Sequence, residues 1–428
     1  MANINQILKE VLTEVKPSEK SMKEMRKTLE DHIKKIKRNL QARKINADIF
    51  IGGSFAKKTL IKKDSYDIDI FVRFDKKYKD TVLSDLTEKI LAGTGFMVMR
   101  IHGSRDYFKI KIKENVFLEA VPVKRVQNPR QAENVTDLSY SHVNYIKKKI
   151  KSEKILDEIR LAKAFCYANG SYGAESYVRG FSGYGLELLI YHYKSFLKFI
   201  KAIIKINASK KVIIDIEKHY KNKDRILMDI NEAKLKSPII LIDPTYKQRN
   251  VLAALSEETF RNFQDACRNF LKKPAKEFFE KKNVNVEKLK KDADNKGYEF
   301  VLLKITTNKQ EGDVAGSKLL KFHSHLAEET GKFFEIKEKG FEYQGGKSGR
   351  SFFVARKKPF IIVTGPMIAQ EKHAGKFKEK YKEISIKNGR LYSKVHIKSN
   401  LKEFLQDWKH KNMKKMRDMN ITYLSYLN

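Results

Sequence analysis

Apolar residues recur at helical spacing near the start of the chain. Ile7, Leu8, Val11, Leu12 and Val15 share one helix face, and Pro17 then interrupts it. Ser21 with Glu24 has the spacing of a capping box and predicts a second helix running to about residue 42. The stretch 46-NADIFIGGS-54 reads as a strand running into glycines, and 55-FAKKTLI-61 as a short helix. Strict alternation in 66-YDIDIFVRF-74 predicts a strand, as do 107-YFKIKIK-113 and 116-VFLEAVPV-123. Strands mixed with helices in this way indicate an α/β or α+β catalytic domain. From about 137 to 204 the pattern is helical. One helix is expected at 153 to 168, and a glycine-rich break at 170 to 185 leads into a second at 186 to 203. A strand at 239-IILID-243 precedes 244-PTYKQRNVLAAL-255, where Pro244 marks a turn and the head of a helix. Strand signals return at 299–305, 341–344, 351–355 and 360–365, with a helix at about 314 to 338 between them. This last part reads as a separate α+β module without a catalytic constellation.

Charge sharpens the picture. Among 428 residues, Lys and Arg number 89 against 52 Asp and Glu, a net charge of +37. A compositional bias toward lysine usually brings glutamate with it, so this imbalance points to a polyanionic partner, nucleic acid first. The two cysteines, Cys166 and Cys267, are far apart and form no CxxC pair. That excludes a disulfide framework or a cysteine zinc site and fits a reducing compartment. Apolar runs such as 237-SPIILI-242 fall far below the ~18 residues of a membrane span. The N-terminus lacks an apolar signal core. A soluble cytoplasmic protein is expected.

The strongest local signal is Gly53-Ser54, then twelve residues, then Asp67-Ile68-Asp69. On a strand, residues two apart point to one face, so Asp67 and Asp69 project together while Ile68, Ile70, Val72 and Phe74 face a core. Two carboxylates so placed repel unless a cation lies between them, and a hard dication such as Mg²⁺ suits oxygen ligands plus substrate phosphates. The Gly53-Ser54 turn offers backbone N–H groups and a hydroxyl to phosphate oxygens, and Lys57 adds positive charge. Glu119, in the apolar run 116–123, is costly unless paired, and a metal would pair it. Singly, a DxD on a strand and a GS before a helix are ordinary structural features; in this order they make a site.

This order resembles the motif of the polymerase-β-like nucleotidyltransferases, in which a glycine–serine turn precedes an acidic pair and a third carboxylate lies on a neighbouring strand. The stretch 160-RLAKAFCYANGSYGAESYVRGFSGYGLELLI-190 further resembles the signature of the archaeal (class I) CCA-adding enzymes, the tRNA nucleotidyltransferases. So do 242-IDPTYKQRNVLAALS-256, 119-EAVPVK-124 and 365-GPMIAQEKHAGKF-377. The resemblance implies that a tRNA 3′-hydroxyl attacks the α-phosphate of CTP twice and of ATP once, with no nucleic-acid template and with two Mg²⁺ ions in the active state. It implies metal binding by Asp67, Asp69 and Glu119, and nucleotide contacts at Gly53, Ser54, Lys57, Ser139, His142, Lys163, Tyr172 and Arg249. Three positions depart from the family pattern: Glu119 stands where Asp is usual, Lys57 where Arg is usual, and Ser139 where Thr is usual. By the same resemblance Arg249 reads the edge of the incoming base, and Glu187 shapes a turn.

The expected architecture is a multi-domain α+β chain. A nucleotidyltransferase domain with a mixed sheet spans 1–145, a mainly helical nucleotide-recognition domain spans 146–260, and a basic α+β region spans 261–428. The resemblance makes this last region a clamp on the acceptor and TΨC arms of tRNA, with Arg350, Arg356, Lys357 and Arg390 as candidate contacts. Several family members dimerise, so a homodimer belongs to the same expectation. The competing readings are another template-independent RNA nucleotidyltransferase of the poly(A), oligo(U) or oligoadenylate type, and a catalytically dead RNA-binding protein.

Overall fold

Pro17 divides the N-terminal apolar stripe into two helices, α1 (Ile4–Val15) and α2 (Glu19–Ala42). The cap of α2 is Ser18, whose hydroxyl accepts from the Ser21 N–H at 3.2 Å, and not Ser21 itself as its spacing to Glu24 suggests. The computed structural model describes residues 4–63, 65–103, 105–207, 210–281 and 285–427. They form two units, one up to residue 282 and one from 283 onward.

In the first unit β1 (Ala47–Ile51) runs into α3 (Gly53–Ala56), followed by β2 (Tyr66–Phe74), α4 (Asp80–Ala92), β3 (Val98–Ile101), β4 (Tyr107–Lys113) and β5 (Val116–Lys124). The sheet order is β1-β2-β5-β4-β3, with β2 and β5 parallel and the other pairs antiparallel. Ile68, Ile70, Val72 and Phe74 are fully buried on one face of β2. They pack with Leu29, Ile36 and Leu40 of α2 and with Leu83 and Ile90 of α4. The opposite face is left for chemistry. The predicted helix at 55–61 is shorter and earlier: α3 ends at Ala56, because Lys58 takes φ +59°.

The helices that follow are α5 (Ser139–Lys149), α6 (Glu153–Ala168), α7 (Gly183–Tyr193) and α8 (Phe196–Ile203). The single helix expected at 186–203 is therefore broken: Lys194 takes φ +66°, and the Ser195 hydroxyl caps α8 by accepting from the Lys198 N–H. Beyond β6 (Val212–Ile214) and α9 (Lys223–Asp229), the helix expected after Pro244 is instead a hairpin, β7 (Ile239–Asp243) and β8 (Tyr246–Asn250). Asp243 Oδ1 accepts from the Thr245 N–H and hydroxyl, both at 2.8 Å, and this folds the chain back. The unit also extends past the boundary expected at residue 260, which would cut α10 (Glu257–Lys272). Its physical reason is aromatic. Phe165 of α6 lies 5.3–5.8 Å, centroid to centroid, from Phe263 and Phe270 of α10 and from Phe196 and Phe279.

The second unit contains α11 (Val286–Asn295), β9 (Glu299–Thr307), α12 (Asp313–Phe333), β10 (Phe334–Tyr343), β11 (Ser348–Lys357), β12 (Phe360–Met367) and α13 (Glu371–Lys380). It continues through β13 (Glu383–Lys387), β14 (Arg390–His396), α14 (Leu401–Lys411), α15 (Met413–Asp418) and β15 (Ile421–Leu427). Two antiparallel sheets result, β10-β11-β9-β15 and β12-β14-β13. The helix expected at 314–338 stops at Phe333, because 334-FEIKEKGFEY-343 pairs with β11 as a strand. Among the described residues no helix is long and apolar enough to cross a membrane.

What joins the first unit's sheet to its helices is a buried ionic cluster. Glu187 of α7 is wholly buried; its carboxylate accepts from Lys57 Nζ at 2.6 Å, Lys163 Nζ at 2.7 Å and Thr59 Oγ1 at 2.7 Å. Arg160 Nη2 donates to the Lys58 carbonyl at 2.6 Å. Residues 57, 58 and 59, which follow the Gly53 turn, are thus each held by a helix of the bundle. Burial alone would raise the Glu187 carboxyl, but the Lys163 and Lys57 ammoniums hold it at about 2. Burial lowers Lys163 to about 8 against the attraction of Glu187.

Two stability outcomes follow. Phe165→Ala is expected to cost about 3–5 kcal/mol, read as a lower urea midpoint for the first unit's transition. Glu187→Gln is expected to cost about 3–5 kcal/mol at pH 7, because it strips a buried pair of one partner. A carboxyl held at about 2 instead of 4.5 contributes stability that is complete above pH 4.5 and lost as pH falls through 2. The gap between parent and variant midpoints should narrow across that interval.

Candidate active site

Asp67 and Asp69 project from β2 on the face opposite the apolar core. In the parallel β2/β5 register Asp69 is the partner of Glu119 and Asp67 of Phe117, which brings the third carboxylate beside the pair. Gly53 seals this corner. It takes φ +58°, and a Cβ there would lie 1.6 Å from Asp69 Oδ2, so only glycine lets the turn lie on the carboxylate. Burial pushes Asp69 up to about 6, opposed by Lys57 and reinforced by Asp67. Burial, with Asp69 and Asp67 nearby, pushes Glu119 up to about 7. Three carboxylates in this state call for a cation.

Lys109 of β4 partly supplies one. It is the cross-strand partner of Glu119, and its Nζ lies 2.8 Å from Asp67 Oδ1 and 3.5 Å from Glu119 Oε1. Among the described residues no three acidic or imidazole side chains converge on one point as a closed metal cage. The donor set nevertheless fits a hard divalent ion: all oxygen, on one face, partly desolvated, and already attracting an ammonium.

Lys57 and Lys163, both expected at the triphosphate, meet at Glu187 and lie close enough to Asp69 to oppose its rise. Ser54 is half-buried within α3, next to Gly53. Tyr172 lies in the glycine-rich loop, bridged to Phe181, and burial raises its hydroxyl. A Cβ at Gly183 would come within 2.9 Å of that hydroxyl. The Lys63 ammonium lies 5.1 Å from the Tyr172 ring centroid.

A second cluster is centred on Asp243, fully buried at the end of β7. His142 Nε2–H donates to Asp243 Oδ2 at 2.9 Å, and Arg249 Nη1 donates to the same oxygen at 2.7 Å. The Tyr184 hydroxyl donates to Oδ1 at 3.3 Å, and its ring stacks on His142 with centroids 4.1 Å apart. Burial alone would raise Asp243, but the His142 hydrogen bond and the Arg249 charge hold it below the usual carboxylate range. Burial lowers His142, which favours the neutral imidazole. Lys57 lies 6.0 Å from the Tyr184 centroid and links this cluster to the first. Ser139 opens α5 one turn before His142. Beside Arg249 lies a cavity of about 530 Å³, also lined by Asn134, Ser182 and Tyr246.

The structure therefore gathers Asp67, Asp69, Glu119 and Gly53 at one point, Lys57 and Lys163 at a second, and His142 and Arg249 at a third. Arg249 lies on a strand and not at the head of a helix. Sequence reasoning missed Lys109 and Asp243, and gave Glu187 only a turn. Lys109 was signalled by the alternation of 107–113, whereas Glu187 and Asp243 act on residues 130 and 101 positions away, which no local pattern shows. In the second unit Arg350 pairs with Glu342 and Arg356 with Glu335, each at 2.6 Å, while Lys357 and Arg390 donate to the backbone carbonyls of Lys398 and Gly365.

Two family models match: "nucleotidyltransferase domain" over residues 33–157, and "tRNA nucleotidyltransferase, second domain" over residues 157–280. A CCA-adding enzyme of Nanoarchaeum equitans is 44% identical over 213 residues, 50% of this chain and 52% of that relative. One of Methanocaldococcus jannaschii is 30% identical over 403 residues, 91% of this chain and 87% of the relative. Among solved structures, the Cid1 poly(U) polymerase bound to Mg and 3′-dATP superposes with a TM-score of 0.51 at 15% identity. It covers 65% of this chain and 98% of its own, a likeness of fold. Given the two family models meeting at residue 157 and a relative matched along nearly all of its length, the chain belongs to the CCA-adding enzymes, the tRNA nucleotidyltransferases.

Proposed function

We propose that the protein completes or repairs the 3′-terminal CCA of tRNA, using CTP and ATP without a nucleic-acid template. The observation that carries this reading is the packing of the Gly53 turn onto Asp69, with Glu119 as the cross-strand partner. The RNA 3′-oxygen forms a bond to the α-phosphorus, the bond to the bridging oxygen breaks, and pyrophosphate leaves. Glu119 is the carboxylate placed to take the hydroxyl proton. Bound at Asp67, Asp69 and Glu119, two Mg²⁺ ions supply activation of the hydroxyl and stabilisation of the leaving oxygen. Ser54, Lys57, Lys163 and Tyr172 hold the triphosphate; Ser139 and His142 hold the nucleoside. Arg249, fixed by Asp243, meets the base edge. The basic second unit grips the acceptor and TΨC arms. The cytoplasm and a homodimer complete the reading.

Purified protein should add two C residues and one A to a tRNA transcript lacking CCA, one A to a transcript ending in CC, and nothing to an unrelated single-stranded RNA. Long tails on any RNA would instead favour the polymerase reading that the fold likeness offers. Asp67→Ala should lower incorporation by at least the ~100-fold that losing a supporting group of a metal site costs, with tRNA binding kept. Retained activity would remove Asp67 from the metal site. Binding of tRNA should weaken about 1,000-fold between ~50 and ~200 mM salt. A flat response would separate the +37 charge from RNA binding.

A further inference from the structure

The catalytic face of the sheet is closed on one side and open on the other. Toward β1 it is closed by Gly53, seated on Asp69, and by the Lys57–Glu187–Lys163 cluster. Toward β4 and β3 it continues as a strip. Strand register sets Glu119, Lys109 and Met99 in one row across β5, β4 and β3, with Phe117 and Lys111 side by side in the next. At about 4.8 Å per strand, the row runs roughly 10 Å from Glu119 to Met99, enough to seat one nucleotide.

The chemistry of the strip is mixed in a particular way. Met99 is 59% exposed and Met97 91%, an unusual display of apolar surface on a chain this charged. Lys111 is exposed, and the Lys109 ammonium lies 4.5 Å from the Phe117 centroid while bridging Asp67 and Glu119. Flat apolar groups beside ammoniums suit an unpaired nucleotide, with the base on the thioether and ring and the phosphodiester on the lysines.

We propose that this strip on β5, β4 and β3 seats the unpaired 3′-terminal nucleotide of the RNA being extended, delivering its 3′-hydroxyl to Glu119 from the side opposite the Gly53 turn. The proposal rests on the reading of the carboxylates as the site of RNA extension. The strip acts on the acceptor end alone, apart from the triphosphate residues and from Arg249. Lys109 leaves the carboxylates for the terminal phosphodiester when RNA arrives.

The test uses the full chain with Met99 and Lys111 both changed to Glu. Both are exposed, so the melting temperature should hold. The expected result is a KM for tRNA ending in CC raised roughly 5- to 150-fold, with the KM for ATP within about 2-fold of the parent. In parallel, a tRNA transcript carrying 4-thiouridine at its 3′ end should cross-link, in the wild-type protein, to peptides spanning 97–99 or 109–117. An unchanged KM for tRNA with cross-links elsewhere overturns the proposal. So does a variant that loses only self-association, which would assign the strip to a second copy of the chain. A wild-type protein that extends no tRNA sinks the functional reading itself, whereas an active wild type with an unaffected variant sinks only the strip.

Discussion

A single buried carboxylate, Glu187, holds the site together. It would be destabilising alone, since an unpaired charge in the interior costs several kcal/mol. Lys57, Lys163 and Thr59 answer it within 2.7 Å, and all of them lie within three residues of the Gly53 turn's exit or on the helix beside α7. The price of desolvation is offset only while the segment 57–59 stays against the bundle. The turn before that segment is thereby fixed over Asp69. Phosphate-binding lysines are thus held by an internal anion, and an incoming triphosphate meets cations already oriented.

The same logic recurs at Asp243 with a different purpose. One fully buried carboxylate gathers an imidazole, a guanidinium and a phenol, and the stacked pair Tyr184–His142 braces them. A base-reading group without a template strand must be rigid, because nothing else supplies the geometry of recognition. Asp243 gives Arg249 that rigidity without lending it to solvent. Lys57, in reach of Tyr184, ties this recognition cluster to the catalytic one.

The catalytic strand was legible in sequence because its period is two: Asp67 and Asp69 alternate with a buried aliphatic row, and the structure keeps that alternation. Glu119 was legible as a carboxylate in an apolar run. The breaks were not. Lys58 and Lys194 end helices by taking positive φ, which non-glycine residues seldom do and sequence seldom announces. The segment 244–255 reads as a helix because Pro244 stands at its head, yet an Asp243 side chain turns it into a hairpin. Residues 261–282 read as part of the basic C-terminal region by charge, while their aromatic face binds them to Phe165. In each case a long-range partner overrode a local preference.

The second unit carries a consequence for how the chain is made. Its central strand β9 pairs on one side with β11 and on the other with β15, whose Leu424 faces Ile305 across more than a hundred residues of chain. On the ribosome, every part of the first unit has been synthesised before β9 appears, so that unit can fold while the rest is still being translated. The four-stranded sheet cannot close until the final strand has emerged. Until then β9 presents an open edge, apolar and unpaired, to whatever is nearby. The nascent protein therefore has a complete catalytic face before it has a finished second unit, and the last seven-residue strand sets the moment at which the chain stops being vulnerable to mispairing.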